Sequence, residues 1–296
     1  SALESLLRKR ILGEEPFAPS SDFESLIWQA VQAGDLRVVV ANAHWGGVRG
    51  RVKQGWRINT AVAQVTEEQP FFTQIFEQAD AAVLAARALF PAGAAQGFVL
   101  KHTRDESYVA TYPEALSAPL FSPVARFPTR ADGQLRLPSN VRLEAIYYRS
   151  SPAALDLPVH EPWLYSTFFT PTEVAAAIAQ ARTTASLQDK ARGLRLYLQA
   201  SDGALLELDV PGATTALASE PAAGTIEDNG AQAALLAGTL SPRNYVRRVI
   251  ASTSVSVVEA GLLWRDVGPV DERSTVLGGP SRAVLSRFFI SAHDAA

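Results

Sequence analysis

Histidine and cysteine, the side chains most typical of zinc sites, are scarce in this chain. The sequence contains four histidines and no cysteine, which excludes disulfides, thiolate metal sites and a cysteine nucleophile. No His-x-x-x-His or His-x-Glu pair occurs, and His44, His102 and His293 lie too far apart in sequence to be grouped. The fourth, His160, lies in the stretch Pro158-Val159-His160-Glu161-Pro162. A lone histidine between prolines is typical of a surface or hydrogen-bonded residue.

A second polar group is the stretch Thr170-Pro171-Thr172-Glu173. Thr at the N-cap, Pro at the first helical position and Glu at the third predict a capping box, in which hydroxyl and carboxylate each bind a free backbone N–H. The helix would run from Pro171 to Arg182. Such a cap stabilises a helix by about 0.5 to 2 kcal/mol without any metal.

The strand predicted over Val141–Tyr148 ends in Tyr147-Tyr148-Arg149-Ser150-Ser151-Pro152. With the capped helix that follows, residues 71–210 resemble the JAMM/MPN (JAB-clan) metalloproteases, and more closely uncharacterised bacterial domains of that clan. In these enzymes a strand ends in His-Ser-His-Pro, a helix opens with Ser-x-x-Asp, and the two His and the Asp hold zinc. A Glu on an early strand acts on the metal-bound water. The resemblance implies a JAMM-like core.

The metal motif is degenerate in this chain. His-Ser-His-Pro corresponds to Arg149-Ser150-Ser151-Pro152, and Ser-x-x-Asp to Thr170-Pro171-Thr172-Glu173, so the degenerate positions are Arg149, Ser151, Thr170 and Glu173. The early-strand Glu would fall near Ala94 to Gln96, where there is no carboxylate. Arg149 carries a permanent positive charge, which opposes a bound cation. We predict that Arg149 faces Glu173 in place of zinc and that no cofactor is bound.

The resemblance leaves one route to a metal site open. The link between the two motifs is longer than in the compact enzymes and contains His160, a possible substitute ligand with Glu173 and Glu161. Imidazole and carboxylate are both zinc ligands. This alternative would make the chain a metal-dependent hydrolase of the isopeptidase or protease type.

A weaker alternative is a toxin-type transferase. Ser252-Thr253-Ser254, with Arg247 or Arg248 upstream, resembles the Ser-Thr-Ser strand of ADP-ribosyltransferase toxins. Those enzymes need a Glu or Gln two residues before a catalytic Glu on a later strand. After Ser254 the glutamates are Glu259 and Glu272, and neither belongs to such a pair.

The amino-acid composition is that of an ordinary globular protein. Its 296 residues are 47% hydrophobic, and 27 basic and 30 acidic residues are well mixed along the sequence. This pattern does not favour nucleic acid as a partner. No apolar run is long enough to span a bilayer, and the compartment, bacterial cytoplasm or exterior, stays open. The absence of methionine predicts a fragment of a longer protein.

Periodicity predicts an α+β fold with a mixed sheet and packed helices. The core elements are a helix at Asp80–Leu89, a hairpin at Gly97–Lys101 and Ser107–Thr111, the strand and helix named above, and a hairpin at Leu194–Leu198 and Leu205–Leu208. Residues 211–230 read as a connector. Flanking elements are a helix at Phe23–Ala33 with a strand at Leu36–Val40, and a helix at Ser241–Ile250 with a strand at Val255–Val258.

The flanking elements resemble each other and predict a repeat. Val31–Val48 aligns with Val249–Val267, placing Trp45 opposite Trp264, and Ile75–Ala82 resembles Phe289–Ala296. We therefore predict the end of one repeat unit at 1–62, a JAMM-like core domain at 63–212, and a connector, second flanking element and start of the next unit at 213–296. Chance similarity of short apolar strands is the alternative.

These patterns favour an interaction role. Repeats of domain size are more typical of architectural proteins than of enzymes. Aromatic residues of the long link, Trp163 and Tyr165, are candidates for a partner surface, although core positions are the commoner use of such residues. We expect a noncatalytic JAMM-like module that acts as a scaffold or binds a protein partner or neighbouring repeat units in a larger bacterial protein. The resemblance suggests a toxin- or secretion-associated context.

Overall fold

The structure is a computed structural model. It describes residues 73, 75–104, 106–123, 127, 131, 135, 137, 141–150, 166–183, 193–210, 218–219, 227–228 and 230–279. The helix and strand predicted within 1–62 therefore lie outside the described residues, as does the echo at 289–296. None of the helices in the described part is both long and apolar enough to cross a bilayer.

The described residues form helices and strands in a mixed order. The helices are α1 (Ala79–Arg87), α2 (Pro171–Thr183), α3 (Ala231–Leu236) and α4 (Pro242–Ser252), with a 3-10 turn at Thr275–Leu277. The strands are β1 (Ala95–His102), β2 (Ser107–Ala110), β3 (Glu114–Ala115), β4 (Val141–Arg149), β5 (Arg195–Gln199), β6 (Leu205–Asp209), β7 (Ala218–Ser219), β8 (Glu227–Asp228), β9 (Val255–Glu259) and β10 (Gly268–Pro269).

Eight strands form one mixed sheet in the order β10-β9-β6-β5-β4-β1-β2, with β3 also paired to β1. β4 and β5 run parallel, joined through α2, and the other ladders of this sheet are antiparallel. The predicted α+β class with a mixed sheet is confirmed. Both predicted hairpins and the helix after Thr170 are present, because local alternation and caps specify them. The predicted connector instead contains a small ladder of β7 and β8.

The sheet buries side chains on both faces. On one face α2, α3 and α4 cover a large core that includes Phe98, Ile146 and Tyr148. On the other face α1 lies on β1, β2 and β4. Its buried side chains are small, Ala79, Ala82, Val83 and Ala86. The polar residues of the candidate site therefore lie at strand ends between these layers.

Strand β9 joins the segment after residue 212 to the central sheet. Val255 pairs with Leu208 and Val257 with Leu206, and the two valines are 2% and 3% exposed. The prediction that Val255–Val258 is too apolar to stay uncovered is confirmed for these two residues. The division into repeat units stays a prediction, although the sheet runs across its boundary at residues 212 and 213.

The α4 helix begins as its sequence predicts. Ser241 is the N-cap, its hydroxyl accepts a hydrogen bond from the Asn244 N–H at 3.2 Å, and Pro242 occupies the first turn. Trp264, the predicted repeat landmark, is a core residue whose indole N–H donates to the Thr167 carbonyl at 3.0 Å. Its presumed counterpart Trp45 lies outside the described residues.

Candidate functional site: a buried carboxylate at a strand end

The end of β4 and the start of α2 lie side by side, as predicted. The Tyr148 hydroxyl donates to Glu173 Oε2 at 2.7 Å. The Ser150 hydroxyl donates to the other carboxylate oxygen of Glu173. One carboxylate therefore connects the strand end to the helix.

The predicted capping box is also present. The Thr170 N–H donates to Glu173 Oε2 at 3.0 Å, and the Glu173 N–H donates to Thr170 Oγ1 at 3.2 Å. Pro171 is the first residue of α2, where its lack of an N–H costs no helical hydrogen bond. The carboxylate also lies in the first turn of the helix, where negative charge is stabilised.

The cluster is buried. Glu173 and Thr170 are 6% and 4% exposed, and Tyr148 is fully buried. Burial, followed by the neighbouring Glu173, raises the pKa of Tyr148 well above its ordinary value. Tyr148 therefore keeps its proton and remains a donor to the carboxylate. The donors around Glu173 offset the cost of removing a carboxylate from water.

The predicted pairing of Arg149 with Glu173 is wrong. Arg149 donates from Nε to the Gly93 carbonyl at 3.0 Å, and from one terminal nitrogen to Gly93 at 2.7 Å and to Pro91. Its guanidinium also lies 5.0 Å from the Phe90 ring centroid. Successive side chains of a strand point to opposite faces, so Tyr148 and Ser150 reach Glu173 while Arg149 points away.

At the position on the early strand where the resemblance implies a Glu, the chain has Gln96, and its side-chain amide is hydrogen-bonded. Gln96 lies on β1 opposite Tyr148, is 2% exposed, and accepts a hydrogen bond from the Phe121 N–H at 3.1 Å. Gln96 thus fixes the backbone at Phe121, whose ring packs against Tyr148 with centroids 4.8 Å apart. The resemblance places a catalytic Glu in this region of the strand, and the residue found there has a structural contact instead.

The part of the chain that the structure describes holds no cluster of metal-ligand side chains. There, no three His, Asp or Glu side chains come together in a group that could hold a metal ion. The degenerate-site position Ser151, the possible ligand His160 with its neighbour Glu161, and the candidate partner residues Trp163 and Tyr165 all lie outside the described part of the chain. The His160 alternative thus stays a prediction.

Two hydroxyls of the Ser252-Thr253-Ser254 stretch donate to backbone carbonyls. Ser252 Oγ donates to the Val249 carbonyl at 2.9 Å, and Thr253 Oγ1 donates to the Asp209 carbonyl at 2.5 Å. Arg247 pairs with Glu272 at 3.1 Å. These contacts connect α4 to β6 and to the segment after β10, which is a structural use of the stretch.

Sequence reasoning missed a charged row on the α1 face of the sheet. Glu144 binds Arg142 at 2.8 Å and Arg195 at 2.9 Å, and Arg195 also lies 3.4 Å from Glu207. Burial raises the pKa of Glu207, partly offset by Arg195. Polar residues at alternate positions of β5 and β6 could have indicated this row, but the pairing of the strands had to be known first.

The row continues to α1 through a tyrosine. The Tyr197 hydroxyl donates to Asp80 Oδ1 at 2.6 Å. Burial and the neighbouring Glu207 raise the pKa of Tyr197 far above its ordinary value, so its hydroxyl keeps the proton that this hydrogen bond requires. At the other end of α1, Arg87 donates to Gln199 at 2.9 Å and also contacts Glu259.

A third polar feature fixes the loop between β9 and β10. One carboxylate oxygen of Asp202 accepts from the N–H groups of Leu263 at 2.9 Å and Trp264 at 3.0 Å. A Cβ at Gly261 would lie 2.5 Å from the Ala204 nitrogen, so only glycine fits there. The loop leaves Leu262 81% exposed, although its backbone is held in place.

Comparisons with known proteins find no relative. No family model, curated protein or solved structure matches the chain. The resemblance to the JAMM/MPN clan therefore rests on the sequence motifs alone, and the same holds for the tandem-repeat organisation.

Proposed function

We propose that this chain is a noncatalytic, JAMM-like module that serves as a scaffold or protein-binding unit of a larger bacterial repeat protein. Its partner would be another protein or neighbouring repeat units of the same chain. The region that corresponds to the metal site of the enzymes would serve only to connect the end of β4 to the start of α2.

The single observation that carries this proposal is that the Glu173 carboxylate already accepts hydrogen bonds from neighbouring residues. A zinc ligand must direct a lone pair of its carboxylate at the metal. Here the carboxylate accepts from Tyr148, Ser150 and the Thr170 N–H. These contacts use both carboxylate oxygens of Glu173 and need no ion.

The proposal is tested by metal content and by chelation. We expect the purified protein, expressed with added zinc, to contain well below one zinc per chain by elemental analysis. We also expect EDTA to leave the thermal midpoint unchanged, since a metal that binds only the folded state would stabilise it.

Two results would contradict the proposal. One is stoichiometric zinc that is lost in His160→Ala, and the other is a thermal midpoint that falls with EDTA in the parent chain but not in His160→Ala. His102→Ala is the matched control, because His102 is a 6% exposed strand residue outside the degenerate motif. Its zinc content should equal that of the parent chain.

A further inference from the structure

The outer edge of β2 is covered by two residues of the same chain, Thr73 and Phe76. The N–H groups of Thr73 and Phe76 donate to the carbonyls of Ala110 and Tyr108 at 2.8 Å, and the Tyr108 N–H donates back to Phe76 at 2.8 Å. The Thr73 hydroxyl accepts from the Ala110 N–H at 3.0 Å. Without this segment the edge of β2 would present unpaired backbone groups, which readily accept another strand.

The same segment continues directly into α1. The fully buried side chains of the helix are small, and the larger Phe76 and Leu84 are only partly buried, so burial, which scales with apolar area, gives a modest part of its attachment. Polar contacts hold it at both ends, from Asp80 to Tyr197 at 2.6 Å and from Arg87 to Gln199 at 2.9 Å. Thr73 and residues 75–87 thus cover an edge and a face of the sheet, and they are called the cover segment below.

The connection from the cover segment to β1 is exposed and turns at a glycine. Pro91, Ala92 and Gly93 are exposed, and Gly93 has a φ of 84°, in the left-handed region that favours glycine. Arg149 binds this connection through the carbonyls of Pro91 and Gly93 and lies over Phe90. This connection is called the hinge below. Arg149 holds the hinge in place next to the sheet, and this role is called the clamp.

We propose that the surface beneath the cover segment is an interaction surface for a second copy of this chain, whose own cover segment can replace the resident one, and that Arg149 opposes this exchange. Every contact of the cover segment recurs when an identical segment from another copy lies there. Among the described residues, the difference between the two arrangements is then confined to the connection that Arg149 binds, and the balance between them depends on protein concentration, as in domain swapping. This inference concerns the other face of β4 from Glu173 and does not rest on the proposed function.

Cysteine trapping tests the exchange directly, because the chain has no cysteine of its own. One copy carries Phe76→Cys and the other Tyr108→Cys, two positions that pair across the edge. The copies are mixed at high concentration, incubated below the thermal midpoint and oxidised. We expect a disulfide-linked heterodimer, formed several-fold faster when both copies also carry Arg149→Ala.

Controls separate exchange from random collision. Leu262→Cys mixed with Tyr108→Cys should give only background heterodimer, since Leu262 is an exposed loop residue with no partner across the β2 edge. Arg247→Ala, which removes an arginine that binds Glu272 and the Leu277 carbonyl, should leave the rate of the Phe76–Tyr108 disulfide unchanged.

A second measurement uses chains without introduced cysteines, so it does not depend on whether the cysteine variants fold. Native mass spectrometry of Arg149→Ala, and separately of Gly93→Ala, should show several-fold more dimer than the parent chain after incubation at the same concentration. Monomers throughout, with no heterodimer above the Leu262→Cys background, would overturn the proposal. Equal rates with and without Arg149 would overturn the role of the clamp.

Discussion

At the scale of single residues, Glu173 has two structural roles that depend on the same two oxygens. It caps its own helix through the Thr170 N–H and binds the end of β4 through Tyr148 and Ser150. Removal of this side chain would leave the buried Tyr148 hydroxyl without its acceptor, and a buried donor without a partner is costly.

Replacing Glu173 tests this dual role. We expect Glu173→Ala to lower the free energy of unfolding by about 2 to 4 kcal/mol, from the lost cap and the orphaned donors. Glu173→Gln should cost less, because Gln also completes a capping box. Urea unfolding followed by circular dichroism measures both. Glu272→Ala is the control, since its ion pair with Arg247 is exposed and should contribute at most about 1 kcal/mol. Equal losses in Glu173→Ala and Glu272→Ala would contradict the prediction.

The second prediction concerns Glu207, whose pKa is raised by burial. Its folded-state pKa lies above its unfolded-state pKa, so its stabilising contribution is complete below the ordinary pKa of a glutamate and is lost as pH rises through the folded-state pKa. We therefore expect Glu207→Gln to match the parent chain near pH 4 and to exceed its thermal midpoint increasingly towards pH 8.

Glu144 provides the contrast for Glu207. Its carboxylate lies between Arg142 and Arg195 and its side chain is 10% exposed. Glu144→Gln should lower stability at pH 7 by about 2 to 4 kcal/mol, because it leaves two largely buried guanidinium groups facing each other. Thermal melts from pH 4 to pH 8 measure both variants. A Glu207→Gln midpoint that stays below the parent chain at pH 8 would refute the assigned pH dependence.

At the scale of elements, the pair β1 and β4 depends on one glycine. A Cβ at Gly97 would lie 2.2 Å from the Tyr147 ring, which is 1% exposed and held by a hydrogen bond from its hydroxyl to the Thr111 carbonyl. The ring lies over the glycine of the neighbouring strand, to which Tyr147 is directly paired. Neither partner has room to move.

We therefore expect Gly97→Ala to lower the free energy of unfolding by about 2 to 3 kcal/mol through overpacking. In a Tyr147→Val background, where the ring is absent, the same substitution should cost much less. A double-mutant cycle by urea denaturation measures this coupling. A cost of Gly97→Ala that is independent of the residue at position 147 would show that the ring is not the cause.

Local patterns predicted most of these elements. Some elements depend only on residues close in sequence and can be predicted without knowing the fold. They are the caps at Ser241 and Thr170 and the hairpins β1–β2 and β5–β6. Alternation along β4 also places Arg149 on the opposite face from Tyr148 and Ser150, whereas the resemblance alone predicted that Arg149 faces Glu173. The hinge carbonyls that bind Arg149 could not be foreseen, because backbone acceptors carry no sequence pattern.

Contacts between segments far apart in the sequence were harder to predict. The β6–β9 ladder joins segments that are far apart in the sequence, and Asp202 accepts from the Leu263 N–H 61 residues further along the chain. The ladder of β7 and β8 has two residues in each strand, which is too short for a hydrophobic period to appear. The capping box of the site was predicted from local sequence, but the long-range contacts around it became visible only when the sheet order was known.

At the scale of the whole molecule, the described part has one continuous sheet across residues 212 and 213. Val255 and Val257 pack in the same core as Ile146 and Tyr148, and Trp264 packs on Phe168 with centroids 5.6 Å apart. Elements that share a core and a sheet open together. The repeat-unit boundary predicted from the sequence, if it also divided the fold, would let the later segment open independently.

Hydrogen exchange distinguishes these two cases. We expect the slowest amides of β4 and β9 to exchange with the same opening free energy, because both require global unfolding. Val257→Ala, which removes buried methyl groups from β9, should lower both values equally, by about 1 to 3 kcal/mol. Val267→Ala is the matched control, since Val267 is 60% exposed and should change neither. If Val257→Ala lowered the opening free energy of β9 while that of β4 stayed unchanged, the two segments would be separate folding units, and the boundary at 212 and 213 would be a physical one.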